Sequence, residues 1–434
     1  MPFPAYLLTK TGEVIRPSVV ELTEADLSPG DVVIEVEWSA VNFKDAMVTR
    51  PGNRVARSFP LVPGVELTGR VRETGTSGFG EGQRVLVQGY DLGVAHHGGF
   101  AGCARVPADW VVPLPDSLSC RQAAVIGLAG FTALLSLRRL RQHGLTPGDG
   151  PVLVTGASGG VGSTAVALLA AVGFEVVASS GKTAEQDYLK GLGATDVVGR
   201  QFAEDDGRTL GPQLWAAVVD CVGGTALAQA LRTVHYGGAV AASGLTGGND
   251  LATTVYPFII RGVALLGIDT VATPIEERRR LWVEMGETFP LDRCDEMVNE
   301  EIGLERPDDP LGLHELVRNE ERRLRAHGNG HCVGRAARHD RALLPAHQMH
   351  LGEVSRRTEL GDDDPLDADV ECGQHVLHQV VRERPRHGHT LERVGNRRGL
   401  WAADEDRQRA PLAFGLLEQE DRSVRLQVHP DRSE

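Results

Sequence analysis

Residues 154–162 read Val154-Thr155-Gly156-Ala157-Ser158-Gly159-Gly160-Val161-Gly162, four glycines between a strand-like and a helix-like segment. Before it, Pro151-Val152-Leu153-Val154-Thr155 is a short β-branched run of the kind that forms a buried parallel strand. After it, residues 163–170 show helical periodicity and small side chains. Strand, glycine turn and helix together are the setting in which such a pattern holds a dinucleotide. Gly156 permits the tight turn. Gly159 and Gly160 lack a Cβ, so a pyrophosphate can approach the backbone. Gly162 lets the helix pack close to the sheet, and the free N–H groups at the helix start face the phosphates. An ordinary glycine turn in an α/β domain is the plainer alternative. The flanking strand and helix favour the nucleotide.

The next strand bears on which nucleotide. It is read as 174–179 and is followed by Ser180-Gly181-Lys182. A site for NAD places an Asp or Glu at this strand end to hold the ribose 2′-OH. None stands there, and Glu175 lies at the opposite end of the strand. Ser179, Ser180 and Lys182 instead offer hydroxyls and a cation that suit a 2′-phosphate. Arg200, after the short strand 196–198, adds a second cation. NADPH is therefore the expected cofactor, against the plainer reading of a solvated, charged loop.

Composition bounds the rest. A chain of 434 residues implies two or three domains. Hydrophobic residues make up 41%, enough for ordinary cores. A net charge of −14 argues against nucleic acid as a partner. No apolar run suggests a bilayer span, and Met1-Pro2-Phe3-Pro4 lacks a charged leader and cleavage site. The six cysteines are scattered singly, with no Cys-x-x-Cys pair, so neither a zinc lobe nor a disulfide framework is indicated. No metal site and no membrane partner are expected, and the cytoplasm is the expected compartment.

Three styles of sequence follow one another. Residues 1–120 are strand-rich, with alternation such as Val32-Val33-Ile34-Glu35-Val36-Glu37-Trp38, and suit a small antiparallel barrel. Residues 121–257 alternate strands at 151–155, 174–179, 196–198, 216–220 and 238–243 with helices such as 183–192 and 223–232, which implies a doubly wound parallel sheet. Residues 258–303 continue in a globular manner, with an apolar run 263–268 and a helix beginning near Pro274, a good first helical position.

The style breaks after Gly303. Residues 304–434 contain no Lys and no Tyr, and eleven of the fifteen histidines. A folded extra domain, a metal-binding tail and a frame slip in a GC-rich gene compete as explanations. The scarcity of core-forming residues favours the last, and a disordered, non-homologous tail is expected.

Read together, several segments resemble one family. They are Ser39-Ala40-Val41-Asn42-Phe43-Lys44-Asp45-Ala46, Pro63-Gly64-Val65-Glu66-Leu67-Thr68-Gly69, Gly127-Leu128-Ala129-Gly130-Phe131-Thr132-Ala133, the glycine turn, Ser179-Ser180-Gly181-Lys182 and residues 253–263. In this order, over residues 1 to about 302, they resemble the zinc-independent medium-chain dehydrogenase/reductases, in the branch of NADPH-dependent acrylyl-CoA reductases and quinone oxidoreductases. The resemblance implies an α/β protein with a GroES-like barrel, an inserted Rossmann domain and a return to the barrel domain after about residue 258. It extends the expected cofactor contacts to Phe43, Leu245, Ile260 and Thr270, beside Gly156, Ser158, Gly159, Gly160, Val161, Gly162, Ser180, Gly181, Lys182 and Arg200. It allows a homodimer.

Departures from the family pattern matter too. Zinc-dependent relatives carry a His where Val65 stands and a catalytic Cys where Ala40 stands, so no Lewis-acid metal is expected. Phe43 stands where the branch often has Tyr. The family closes its barrel with a last helix and strand, and this chain departs from that pattern near Leu304, so the last barrel pairing is expected to be lost.

Without a metal, reduction of an activated alkene is favoured over alcohol oxidation. Hydride from nicotinamide C4 adds to the β-carbon of an enoyl thioester, and the carbonyl takes the charge. Backbone N–H groups or the Asn42 side chain are the candidate stabilisers of that oxygen, and Asp45 a candidate for orienting water or relaying a proton. A turn-forming role for Asn42 and a helix-start role for Asp45 remain open beside these. Lys44 and Arg261 are candidate contacts for a CoA phosphate. A small-molecule enoyl-CoA is the expected substrate. A quinone is the alternative, and a nucleotide-binding chain made inert by its replaced C-terminus is the reading from another class.

Overall fold

The computed structural model describes residues 1–75, 78–203 and 207–304, and the backbone of 378–382. Expectations for the remainder of 304–434 lie outside the described residues. The chain opens with an antiparallel hairpin of β1 (Phe3–Thr11) and β2 (Val14–Leu22), turned by Gly12 at φ +61°. An antiparallel sheet follows: β3 (Val32–Ala40), β4 (Glu66–Glu73), β5 (Arg84–Gln88), β6 (Cys103–Val106) and β7 (Val111–Pro113). β3 pairs with both β4 and β6, and β5 pairs with β4 and β7. In β3 the alternation is only partial: Glu35 is exposed while Val32, Val33, Ile34 and Val36 are buried. A short helix, α1 (Phe43–Val48), leaves the end of β3.

Helix α2 (Cys120–Gln142) leads into the second domain. Ser119 and Gln122 cap it reciprocally: Gln122 N donates to Ser119 Oγ, and Ser119 N donates to Gln122 Oε1, each at 3.1 Å. Contrary to the sequence expectation, α2 is long and apolar enough to cross a bilayer by length and composition, with a mean hydropathy of 1.5. It is instead a core helix, 83% of that stretch being buried against the rest of the protein. Gly127 interrupts it at φ 54°, ψ −161°.

Six parallel strands build the second sheet: β8 (Val152–Val154), β9 (Val176–Ser179), β10 (Asp196–Val198), β11 (Trp215–Asp220), β12 (Val234–Ala242) and β13 (Ala264–Gly267). Their order is β10-β9-β8-β11-β12-β13. The crossovers carry α3 (Gly160–Ala171), α4 (Gln186–Gly191), α5 (Gly224–Thr233) and α6 (Tyr256–Arg261). This is a doubly wound Rossmann sheet whose order reverses between β8 and β11, the point where such sheets open a ligand crevice at their C-terminal ends. The apolar run at 263–268 is its sixth strand, so this domain extends to Gly267 rather than 257.

The chain returns through α7 (Ile275–Thr288), which buries Leu281, Trp282 and Met285 in the core that α2 shares. Pro274 is the N-cap of α7, so the helix begins beside it as expected. Two strands close the first sheet, β14 (Val298–Ile302) and β15 (His378–Arg382). β15 lies between β14, which it meets in parallel, and β3, which it meets antiparallel. The expected loss of the last barrel pairing is therefore corrected: Val380, Val381 and Arg382 sit opposite Ala40, Ser39 and Trp38 and supply the backbone partners that β3 needs there.

Candidate active site

The glycine turn follows β8 at the switch point. Gly156 adopts φ +59°, and Gly159 N donates to Gly156 O at 2.9 Å. A Cβ on Gly162 would lie 2.4 Å from Gly156 O and 2.6 Å from Ala157 Cα. The constraint on Gly162 is thus close packing of α3 on the turn itself. Gly159 stands at the N-cap of α3, with Gly160 and Val161 in its first turn. The amides of that turn point out of the helix start, which suits a pyrophosphate. Below the turn, Thr155 Oγ1 donates to Asp220 Oδ1 at 2.7 Å and Gly223 N donates to Asp220 Oδ2 at 2.8 Å. These bonds tie the ends of β8 and β11 together beneath the crevice.

The residues expected at the 2′-phosphate converge. Ser158 Oγ and Ser180 Oγ lie 3.1 Å apart, and Lys182 N donates to Ser180 Oγ at 3.1 Å. A Cβ on Gly181 would lie 2.1 Å from Arg200 Nε, so the guanidinium rests directly on the Gly181 backbone. The Ser158 and Ser180 hydroxyls, the bare Gly181 backbone and the Arg200 guanidinium meet at the ends of β9 and β10, and Lys182 follows them in the chain. The residues present fit a phosphorylated dinucleotide.

The other expected contacts are spread more widely. Leu245, in the loop after β12, is 53% exposed, and its Cα would lie 3.2 Å from a Cβ on Gly223. Thr270 lies in the loop after β13. Both are at the C-terminal edge of the sheet, where the crevice opens. Ile260 is not brought there. It sits on α6, whose Arg261 donates to Arg232 O at 2.8 Å and Gly211 O at 2.5 Å, beside the N-terminal ends of β11 and β12. The same bonds take Arg261 away from any phosphate contact at the crevice.

A second group of polar residues is buried beneath α1. Asn42 N donates to Asp45 Oδ2 at 2.8 Å, and Asp45 Oδ1 accepts from Gly64 N and Val65 N, each at 3.0 Å. Asp45 is fully buried, so it braces the 63–66 turn and has no surface from which to orient a water. Asn42 Nδ2 donates to Glu66 Oε1 at 2.7 Å and to Ala40 O at 3.3 Å. Both amide hydrogens are committed to acceptors. Asn42 therefore has no donor left for a substrate oxygen, and the expected oxyanion role is corrected; its Oδ1 remains as an acceptor. Phe43 follows at the first position of α1.

Glu66 is the residue that sequence reading passed over. It is 1% exposed, and its Oε2 accepts from Leu128 N at 2.6 Å, just after the break at Gly127. Burial pushes its carboxyl up to about 8, against the pull of the Asn42 and Leu128 hydrogen bonds, and the neighbouring Asp45 adds to the rise. Burial likewise pushes Asp45 up to about 7, opposed by its bonds to the amides of Asn42, Val65 and Gly64 and by Lys44. A carboxyl raised on folding binds a proton that the unfolded chain releases. Its stabilising share is complete below the ordinary carboxylate range and is lost as pH rises through about 8. Glu66→Gln removes the titration but turns an N–H₂ toward a donor, at a cost of roughly 1–3 kcal/mol. The variant is expected to melt below the parent near about pH 5, with the gap closing toward about pH 9. A gap independent of pH contradicts this assignment.

Arg278 was also unforeseen. It is fully buried, with its Cζ 4.8 Å from the Tyr90 ring centroid and 4.9 Å from that of Phe131. Its Nη2 donates to Thr270 O at 2.8 Å and Val271 O at 3.3 Å, which pins the loop after β13. Tyr90 stacks on Trp110 at 5.4 Å, with 16° between the rings. Tyr90, Trp110 and Val271 wall a cleft of about 580 Å³ that Lys44, Arg54 and Arg57 also help to line. Burial lowers the Lys44 pKa. Among the described residues, no group of three or more His, Cys, Asp or Glu side chains is placed to hold a metal ion.

Residues 28–116 match the family model of the alcohol dehydrogenase GroES-like domain, and residues 160–289 that of the zinc-binding dehydrogenases. The chain is 46% identical over 282 residues to acrylyl-CoA reductase AcuI of Ruegeria pomeroyi, covering 65% of this chain and 86% of that protein. It is 43% identical over 318 residues to the putative quinone oxidoreductase YhfP of Bacillus subtilis, covering 73% and 96%. This chain belongs to the medium-chain dehydrogenase/reductase superfamily. Within it, the chain falls in the acrylyl-CoA reductase and quinone oxidoreductase branch. The yhdH oxidoreductase of Salmonella enterica, solved with NADP, matches this reductase at a TM-score of 0.70 and 42% identity, over 73% of this chain and 97% of that one. YhfP, solved with NAD bound, matches at a TM-score of 0.71, over 74% and 97%.

Proposed function

We propose that this protein is an NADPH-dependent reductase of the activated C=C bond of an enoyl thioester of the acrylyl-CoA type. The observation that carries the cofactor is the convergence of Ser158, Ser180, Gly181, Lys182 and Arg200 where an NAD site would place a carboxylate. The amides of 159–161 would hold the pyrophosphate, and Leu245 and Thr270 lie at the crevice edge toward the nicotinamide end. Bound there, NADPH supplies hydride to the β-carbon of the substrate. Lys44, on α1 and lining the cleft, is the cationic donor we assign to the thioester oxygen. Asn42 keeps only an acceptor, suited to an amide or hydroxyl donor of the cofactor. Asp45 and Glu66 are positioning residues: they hold Asn42, the 63–66 turn and the kink of α2 in one arrangement. The α-carbon takes its proton from solvent admitted to the cleft.

Ala40 and Val65 offer no metal ligand at the positions where zinc-dependent relatives carry Cys and His, which supports chemistry without a Lewis acid. No disulfide links the described cysteines, which suits the reducing cytoplasm we assign to the protein. The likeness to YhfP keeps quinone reduction as the second reading. Incubation with NADPH and acrylyl-CoA is expected to yield propionyl-CoA, at a rate that survives dialysis against chelator. Zinc at one per chain, together with loss of activity on its removal, overturns the metal-free mechanism.

A further inference from the structure

The cleft has a charge of its own. The chain as a whole carries −14. The cleft lining nevertheless contains three cations, Lys44, Arg54 and Arg57, against one carboxylate, Asp91. That carboxylate is already engaged by Arg57 in an ion pair whose side chains are 55% and 49% exposed. Lys44 also faces Asp45 and Asp269, so it is partly compensated at the inner, half-buried end. Arg54 and Arg57 are exposed and stand at the rim.

The loop that carries these arginines is built. Asn53 Oδ1 accepts from Val55 N at 3.0 Å and from Ala56 N at 2.7 Å, while Asn53 Nδ2 donates to Arg50 O at 2.6 Å and Val48 O at 3.1 Å. Arg57 N donates to Val94 O at 2.7 Å, which ties the loop to the opposite wall. That wall is rigid as well, with Tyr90 held between Trp110 and Arg278. Tyr90 and Trp110 give that wall its aromatic, apolar surface. A preorganised loop presenting two arginines beside an apolar slot suits a ligand with a reactive apolar end and a phosphate-bearing handle. A compound without a phosphate gains no charge–charge contact from the rim.

We propose that Arg54 and Arg57 form the docking site for the phosphates of a nucleotide-type thioester handle, and so select CoA thioesters over uncharged substrates. This rests on the enoyl-thioester reading above. The test compares kcat/KM for acrylyl-CoA with that for the same acyl group on N-acetylcysteamine, which carries no phosphate. The preference for the CoA substrate is expected to fall about tenfold or more in Arg54→Glu and in Arg54→Ala/Arg57→Ala, and to shrink in the parent enzyme as salt is raised. A parent enzyme that reduces both thioesters, with a preference that survives both variants, overturns the docking site alone. A parent enzyme that reduces a quinone and neither thioester overturns the functional reading and the docking site with it.

Discussion

Replacing Lys182 and Arg200 together with alanine raises the KM for NADPH by about 10²-fold or more and leaves the KM for NADH nearly unchanged. Each lost charged contact to a phosphate is worth roughly 1.5–3 kcal/mol, and about 1.4 kcal/mol is a factor of ten. The two cations follow the ends of two adjacent strands, β9 and β10. Arg200 rests on Gly181, and Lys182 follows the Ser180 hydroxyl that meets Ser158. Only the 2′-phosphate distinguishes the two cofactors, so only NADPH should register the change. Steady-state kinetics with both cofactors decide it. Equal losses would show that the pair serves the fold or the pyrophosphate.

Gly127→Ala is expected to destabilise the protein by about 4 kcal/mol, which lowers Tm by roughly 10 °C. Two terms contribute. Backbone at φ 54°, ψ −161° is open essentially to glycine alone, and forcing a Cβ into it costs roughly 1–3 kcal/mol. The added Cβ would also stand 2.7 Å from Glu66 Oε1 and 2.9 Å from Oε2. The carboxyl must then leave Leu128 N or Asn42 Nδ2, which strands a buried donor at about 1–3 kcal/mol. Because Asn42 loses its anchor as well, kcat should fall in the fraction that folds. Calorimetry checks the first effect. A Tm within about 2 °C of the parent would show that α2 can straighten at no cost.

Local pattern carried the Rossmann domain well. The strand expected at 196–198 is found as read, and the other four overlap theirs. β12 begins at Val234, four residues before the expected 238, because its course passes through Gly237 and Gly238, which read as a break. The run that forms β13 joins the parallel sheet beside β12, and a short apolar run carries no sign of which sheet will receive it. The phosphate cluster was legible because its residues follow two adjacent strand ends. Glu66 was not. Its partner Leu128 lies 62 residues away, and a charged residue at a strand start gives no local hint of complete burial. Arg278 opens a run of three consecutive arginines on α7, in which nothing in the sequence marks the one whose guanidinium is fully buried. The pairing of β15 was invisible for the same reason, since five residues with two adjacent valines do not announce partners some 80 and 340 positions earlier.

The central claim is that this fold, with these residues in its crevice, transfers hydride from NADPH to an enoyl thioester. The direct measurement is the initial rate of NADPH consumption by the full chain, with acrylyl-CoA and with a soluble quinone in parallel, and with product identified in each. The expected result is a higher kcat/KM for acrylyl-CoA, with one propionyl-CoA formed per NADPH consumed. Turnover of the quinone with no propionyl-CoA formed would contradict it.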